Sequence, residues 1–386
     1  MTRPLDGVRV LDLTRLLPGP FATLVLADLG AQVDKVEDPH GGDYLRHMPP
    51  QLGDQNAAFL ALNRGKRSIV LDLKRPEARD ALLRMLPGYD VLIEQFRPGV
   101  LDRLGLSHES LRQRFPRLVI AAITGYGQDG PLAQRAGHDL NYLARSGILG
   151  LTGPSDGPPQ PPGFQLADVG GGMWAVIGVL GALRARDRTG QGSVIDVAMS
   201  ESTLPFAMVQ LGTLFGNARA ARGGEPLTGG IAPYNTYATS DGRFVSLGAL
   251  EPKFWRSFCE GVGLEFDMGA MMPGPHQAAL EAKLAEIFAT RTRDEWTAFN
   301  AERDCCLEPV LEPAELRDDP QLKARRVFVE QSTRWGTSTQ VRLPIAEPAD
   351  APAPAMGEHT RAVLQDAGFS PDEIEALLQC GAARAG

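Results

Sequence analysis

The amino-terminal third of the chain repeats one pattern: a short apolar run, a turn signal, a helical segment, then another apolar run. The runs are Val8–Leu13 (VRVLDL), Gln32–Glu37 (QVDKVE), Ser68–Leu73 (SIVLDL), Asp90–Phe96 (DVLIEQF) and Leu118–Ile123. Each is short and bounded by polar or turn residues, which predicts strands buried in a sheet. Pro18-Gly19-Pro20 breaks the chain after the first run, Phe21–Leu29 has the apolar density of a helix, and Gly30 closes it. Pro76 opens the helix after the third run at its favoured first position. Strands separated by helices are joined by crossovers, so the pattern predicts βαβ units and a mainly parallel sheet, an α/β fold.

After Ser193–Val197 (SVIDV) the pattern changes. Residues 212–233 are rich in Gly, Ala and Arg and read as a linker. Thr236–Ala238 and Phe244–Leu247 flank Ser240-Asp241-Gly242-Arg243, a hairpin with a glycine turn. Helical patterns follow at Lys253–Val262, Gln277–Thr290 and Arg293–Arg303, giving a smaller α+β unit over about 225–330. A Pro/Ala-rich segment, Pro344–Pro354, leads to two last helices, Thr360–Ala367 and Pro371–Leu378. With 386 residues the chain exceeds one ordinary domain.

A net charge of −8 argues against nucleic acid as the main partner. Cys259, Cys305, Cys306 and Cys380 show no CxxC spacing, so neither a metal site nor a disulfide framework is expected. The start enters a strand without an apolar signal core, and no apolar run approaches a membrane span, which predicts a cytoplasmic protein with free thiols.

Ionisable residues cluster at element ends. Thr124–Gly150 joins a strand to a Gly/Pro-punctuated loop and then a helix, at whose entry stand His138 and Asp139, followed by Asn141 and Tyr142. Open α/β folds place ligands at such strand ends and helix starts. Asp139 reads equally as an ordinary helix cap. Asp168, in QLADVGGG, precedes a helix expected from about Met173 to Arg184, and Glu251, in GALEPKFW, precedes a proline-started one. The helix dipole is expected to keep both carboxylates ionised. No GxGxxG follows the first strand, and Gly170-Gly171-Gly172 lacks the Lys-Ser/Thr of a P-loop, so close packing is the reading for these glycines. Arg64, Lys66, Arg67, Lys74, Arg97 and Arg103 lie at strand ends and loops, suited to a phosphate-bearing ligand or to a solvated face. Phe164, Met173, Trp174 and Met208 are expected to pack in the core, with an acyl pocket as their other reading.

Taken in order, PLDGVRVLDLT, LADLGAQVDKVE, NRGKRSIVLDLK, DVLIEQFRPGV, TGYGQDGP, QLADVGGG, GQGSVIDVAMSE and GEHTRAVLQDAGF resemble the family III CoA-transferases, which include the alpha-methylacyl-CoA racemases. The resemblance runs over essentially the whole chain. It implies a Rossmann-like large domain built from both chain ends, 1–210 and 331–386, and a linker plus small α+β domain over 211–330. It also implies a homodimer of two chains interlocked as rings, acting on acyl-CoA.

Within that family the transferases use an aspartate at the position of Asp139 as nucleophile. The racemases carry the pattern found here at Gly137-His138-Asp139-Leu140-Asn141-Tyr142, with counterparts of Asp168 and Glu251. The resemblance therefore implies 1,1-proton transfer at the α-carbon of a 2-methylacyl-CoA through an enolate. His138 and Asp168 are the two bases, and Glu251 accepts a hydrogen bond from His138. Backbone N–H groups near Gly170 or Asp139 are the implied enolate donors. The alternatives are CoA transfer between carboxylic acids with Asp139 as nucleophile, and a CoA-thioester binding protein without catalysis. For the CoA moiety the resemblance implies Leu71, Lys74, Gln95, Phe96, Arg97, Arg103, Gly137, Asn141 and Tyr142, with no other cofactor and no metal. Asp38 departs from the pattern, standing where the racemases tend to have arginine; Arg46, Lys66 and Arg67 are the expected replacements.

Overall fold

The computed structural model describes residues 3–216 and 221–386. It divides into two compact units, Met1–Ser146 with Phe164–Thr203 and Pro320–Gly386, and Gly147–Gly163 with Leu204–Asp319. In chain order the first unit begins β1 (Arg9–Leu13), α1 (Pro18–Asp28), β2 (Gln32–Glu37), α2 (Ala57–Asn63), β3 (Lys66–Leu71), α3 (Pro76–Met85) and β4 (Val91–Glu94). It continues α4 (Val100–Arg103), α5 (His108–Arg114), β5 (Val119–Thr124) and α6 (Asp139–Arg145). After α7 (Ile148–Leu151), which belongs to the second unit, come α8 (Leu166–Thr189) and β6 (Val194–Ala198). The second unit holds α9 (Met208–Phe215), β7 (Tyr234–Ala238), β8 (Phe244–Gly248), α10 (Pro252–Val262), α11 (Gln277–Phe288), α12 (Arg293–Arg303) and β9 (Leu307–Pro309). The chain returns to the first unit with α13 (Pro320–Ala324), β10 (Phe328–Thr333), β11 (Gly336–Val341), α14 (Thr360–Asp366), α15 (Pro371–Gln379) and β12 (Ala383–Arg384).

The main sheet runs β12-β3-β2-β1-β4-β5-β6, parallel throughout except β12, which pairs antiparallel with β3. Both faces are covered, which is why its strands read as continuous apolar runs. Leu11, Ile69, Leu92 and Ile120 pack on one face against Leu82 of α3, Leu111 of α5, Val363 of α14 and Leu377 of α15. From β1 the chain goes to β2 and β3 on one side, then to β4, β5 and β6 on the other. The order therefore reverses between β1 and β4, and the crevice beyond their carboxyl ends is where such sheets take ligands.

α8 starts at Leu166, earlier than expected, and carries Gly170-Gly171-Gly172 within its opening turns. A Cβ on Gly172 would lie 2.6 Å from the Pro18 carbonyl oxygen, and one on Gly171 2.8 Å from Met199 Cγ, so these glycines serve close packing. This helix is also long and apolar enough to cross a membrane. That corrects the expectation that no run approaches such length: its glycines and alanines are apolar because they press on α1 and the sheet.

The return segment contains the β10–β11 hairpin, unforeseen because its polar alternation (FVEQST, GTSTQV) carries little apolar signal. Arg64 ties it down. Its guanidinium donates to Asp28 at 2.7 and 3.2 Å, to Gln340 Oε1 and to the Val341 carbonyl, while Asp28 also accepts the Ala349 N–H. Both charged groups are buried. Arg64→Met strands the Asp28 carboxylate and is expected to cost about 3–5 kcal/mol, read by urea unfolding.

In the second unit β9-β8-β7 form an antiparallel sheet, with the expected hairpin between β7 and β8. Trp255, Phe258, Phe288, Trp296 and Phe299 make its core, with Phe288 and Trp296 centroids 4.8 Å apart. Residues 147–163 belong here, not with the large domain as expected: Arg222 donates to the carbonyls of Gly150, Pro154 and Gly157. The expected linker is partly helical, since α9 runs to Phe215, and residues 217–220 of it lie outside the described residues.

Candidate active site

A cavity of about 690 Å³ opens at the reversal between β1 and β4, lined wholly by the first unit. The ends of β1 (Leu13, Thr14) and β4 (Gln95, Phe96, Arg97) meet there with Leu71 and Lys74 beyond β3. Gly137, His138 and Tyr142 come from the start of α6, and Asp168 from the first turn of α8. Of the residues singled out in the sequence, Leu71, Lys74, Gln95, Phe96, Arg97, Gly137, His138, Tyr142 and Asp168 thus share one wall system. Arg103 and Asn141 are exposed and outside the lining. Glu251 belongs to the second unit, where it occupies the N-cap position of α10 with an exposed side chain.

Glycines and one tyrosine shape the entry to α6. Tyr142 is buried and donates its hydroxyl to the Gly137 carbonyl at 2.6 Å. Cβ atoms on Gly125 or Gly137 would each fall 2.7 Å from its ring, so both positions demand glycine. Burial, aided by the Asp168 charge, pushes the Tyr142 hydroxyl up to about 12, which keeps it a donor. His138, not Asp139, is the N-cap residue of α6; its N–H donates to Asn141 Oδ1 at 3.0 Å, and its side chain is exposed toward the cavity space.

Asp139 caps a different helix. Its Oδ1 accepts the backbone N–H groups of Ala167 (2.7 Å) and Asp168 (3.1 Å), two of the orphan donors at the start of α8. That explains the early helix start. It also corrects the expectations about charge and donors. Burial and the neighbouring Asp139 carboxylate push Asp168 up to about 7, outweighing the dipole, so its carboxyl gains and loses a proton near neutrality. The α8 N–H groups expected to meet an enolate near Gly170 are committed: Asp139 holds two, and Val169 N–H bonds Gln165 O.

Charge balance around the cavity rests on a buried network below it. Asp12 accepts from Thr14 and Thr23, pairs with Lys66 at 3.5 Å, and Lys35 bridges Asp43 (3.0 Å) and the Thr14 carbonyl. Burial opposes the Asp12 charge, yet Lys35 and Lys66 hold the carboxyl below its usual range. Burial draws Lys66 down to about 7 despite Asp12. Asp43 in turn accepts the N–H of Leu16, whose φ of 66° places a leucine in the left-handed region. The network thus fixes the loop that carries Arg15.

These pairings overturn the expected substitutes for arginine at position 38. Arg46 forks onto Glu37 at 2.6 and 2.8 Å, Lys66 is in the network, and Arg67 binds Asp34 and Asp366. Arg64 is buried in its own pair. The cations lining the cavity are instead Arg15, Lys74, Arg97 and Arg135. Sequence reading missed Arg15 and Arg135, which sit in loops with no periodicity; charges inside apolar strands, as in VDKVE, were the available sign of the network. Phe164 and Met173, expected in the core, are 56% and 44% exposed. Among the described residues no three His, Cys, Asp or Glu side chains form a metal-binding group.

Fold and cavity together define an α/β protein with a ligand crevice at the switch point of a parallel sheet, lined by Arg15, Lys74, Arg97 and Arg135 and also by Glu37, Asp38, Asp43, Asp72 and Asp168. The chain belongs to CoA-transferase family III, whose model matches residues 5–360. It is 39% identical over 376 residues to the alpha-methylacyl-CoA racemase of Mus musculus, covering 96% of this chain and 95% of the relative. It is 36% identical over 374 residues to the acetyl-CoA:oxalate CoA-transferase of Acetobacter aceti, covering 94% and 95%. Among solved structures, a CAIB/BAIF family protein from Brucella suis superposes with a TM-score of 0.83 at 33% identity, over 95% of this chain and 100% of that one.

Proposed function

We propose that the protein is an alpha-methylacyl-CoA racemase or epimerase, inverting the α-carbon of a 2-methylacyl-CoA by 1,1-proton transfer. One observation carries the reading: His138 lines the same cavity as Asp168, whose carboxyl is pushed up to about 7 by burial and the Asp139 charge. Inversion needs removal of a proton on one face and delivery on the other, so one partner must be basic while the other is acidic. His138 and Asp168 take these roles, each in either direction. The bond from the α-carbon to hydrogen breaks, its electron pair passes into the thioester carbonyl as an enolate, and the opposite partner returns a proton. The first-turn N–H groups of α6 at Asp139 and Leu140 are the proposed enolate donors.

The cationic rim suits the phosphates of CoA, with Arg15 and Arg135 joining Lys74 and Arg97. A second copy of the chain is the proposed cover of α9, which has no buried residue: Met208, Val209 and Phe215 are 67%, 64% and 76% exposed. Sedimentation velocity of the full chain tests it, with a monomer counting against an interlocked dimer.

Similarity to the oxalate transferase keeps CoA transfer through Asp139 as the second reading. One experiment separates the two. A 2-methylacyl-CoA is incubated with enzyme in deuterated water, with and without an acceptor acid. Deuterium at the α-carbon without acceptor supports racemisation; CoA on the acceptor without α-exchange overturns it. Arg97→Gln is expected to raise KM for the thioester about tenfold with little change in kcat, the loss of one charge-assisted contact.

A further inference from the structure

A second cavity of about 430 Å³ shares Arg97 and Pro98 with the first and lies between β4, α4 and α5. At its base Glu94, the last residue of β4 and only 2% exposed, uses both carboxylate oxygens. Oε2 accepts the Phe96 N–H at 2.7 Å, and Oε1 meets His108 Nε2 at 3.1 Å. His108 opens α5, so this bond closes the whole segment from Gln95 to Ser107 onto the end of β4. Gln95 in turn accepts the Gly19 N–H at the start of α1 at 3.3 Å. The residues held this way, Gln95 to Arg97, line the substrate cavity.

We propose that His108 and Glu94 form a pH-gated clamp that positions Gln95, Phe96 and Arg97 for the CoA moiety, setting substrate affinity without touching the substrate. The proposal rests on the CoA reading of the first cavity. A protonated imidazole draws the Glu94 carboxylate into a charge-assisted bond, and the same carboxylate holds Phe96 N–H. The groups facing His108 are Glu94 from β4, Asp102 from α4, Asp196 from β6, Glu109 on its own helix, and Arg97 and Gln128 from the loops after β4 and β5. The Glu94 bond, against some opposition from burial and with smaller help from Asp102 and Asp196, raises the imidazole above its ordinary range. The ion pair is therefore intact below that raised value and is lost as pH rises through it.

The test is calorimetric titration of coenzyme A into the full chain between about pH 6 and 9, for the wild type, His108→Gln and His108→Ala. Glutamine keeps an N–H donor near the Nε2 position that does not titrate. The wild-type Kd is expected to weaken about tenfold across the His108 transition, the scale of one charge-assisted bond. His108→Gln should lose that dependence and bind throughout as the wild type does at high pH, since a neutral imidazole and an amide offer the same uncharged donor; His108→Ala, with no donor, should bind more weakly still at every pH. Titration of the CoA phosphate is common to all three and cancels. In turnover assays both variants should change KM with kcat within about twofold, a split that a merely structural defect would not give. The same pH profile in all three proteins overturns the clamp and leaves the CoA reading standing. No binding of CoA by the wild type overturns both.

Discussion

His138→Ala and Asp168→Asn are each expected to slow inversion of a 2-methylacyl-CoA by about 10²- to 10⁴-fold, the usual loss for a general acid–base group, while the base that remains still exchanges the α-proton of the one epimer that faces it. Neither should weaken binding of free CoA appreciably, because the cationic rim and the Gln95–Arg97 loop remain. The pH dependence carries a sharper sign. With Asp168 as proton acceptor, kcat/KM should fall as pH drops below about 7; with Asp168 as donor, it should fall as pH rises above that value. Inversion uses the pair with one proton between them, in either arrangement, so both epimers of one substrate should show the same profile with both limbs, as a pH-independent equilibrium between epimers requires. A profile without any limb near that value would remove Asp168 from the proton path. CoA transfer that survives His138→Ala while exchange is absent from the wild type would establish the transferase instead.

Asp139→Asn gives the second large effect. An asparagine oxygen can still accept the Ala167 and Asp168 N–H groups, so the cap on α8 persists while its charge is gone. The like-charge contribution to Asp168 disappears, and its carboxyl should titrate at lower pH. The Asp168 limbs for both epimers should shift acidward together, with activity retained. Under transfer through an Asp139 anhydride the same variant loses all turnover, since an amide cannot form that intermediate. Profiles of kcat/KM against pH for the two epimers separate these outcomes.

Much of the architecture was legible because it rests on periodicity. β2 has the expected bounds, Gln32–Glu37, and α12 runs Arg293–Arg303 as its pattern predicts. The site was legible only in part. His138, Asp168 and Gly137 sit at element ends where chain geometry funnels ligands, but which group caps which helix depends on contact across 28 residues. Nothing in a one-dimensional pattern distinguishes Asp139 as the cap of its own helix from Asp139 as the cap of α8. The same holds for cations. Arg46, Arg64 and Lys66 look as available as Arg15 until the buried carboxylates that claim them come into view. Fold signals are local and repeated; electrostatic assignments are pairwise and long-range.

The Asp139 contact also bears on how two chemistries can share one scaffold. A carboxylate oxygen held by two backbone donors has its lone pairs engaged, and attacking a thioester with that oxygen means surrendering bonds of roughly 1.5–3 kcal/mol each. Releasing it would unfasten the first turn of α8, the turn that carries Asp168. Both contacts fall on Oδ1, so one side chain can anchor the helix through that oxygen while presenting Oδ2. In this framework an aspartate at position 139 is compatible with either chemistry, and its identity alone does not choose between them.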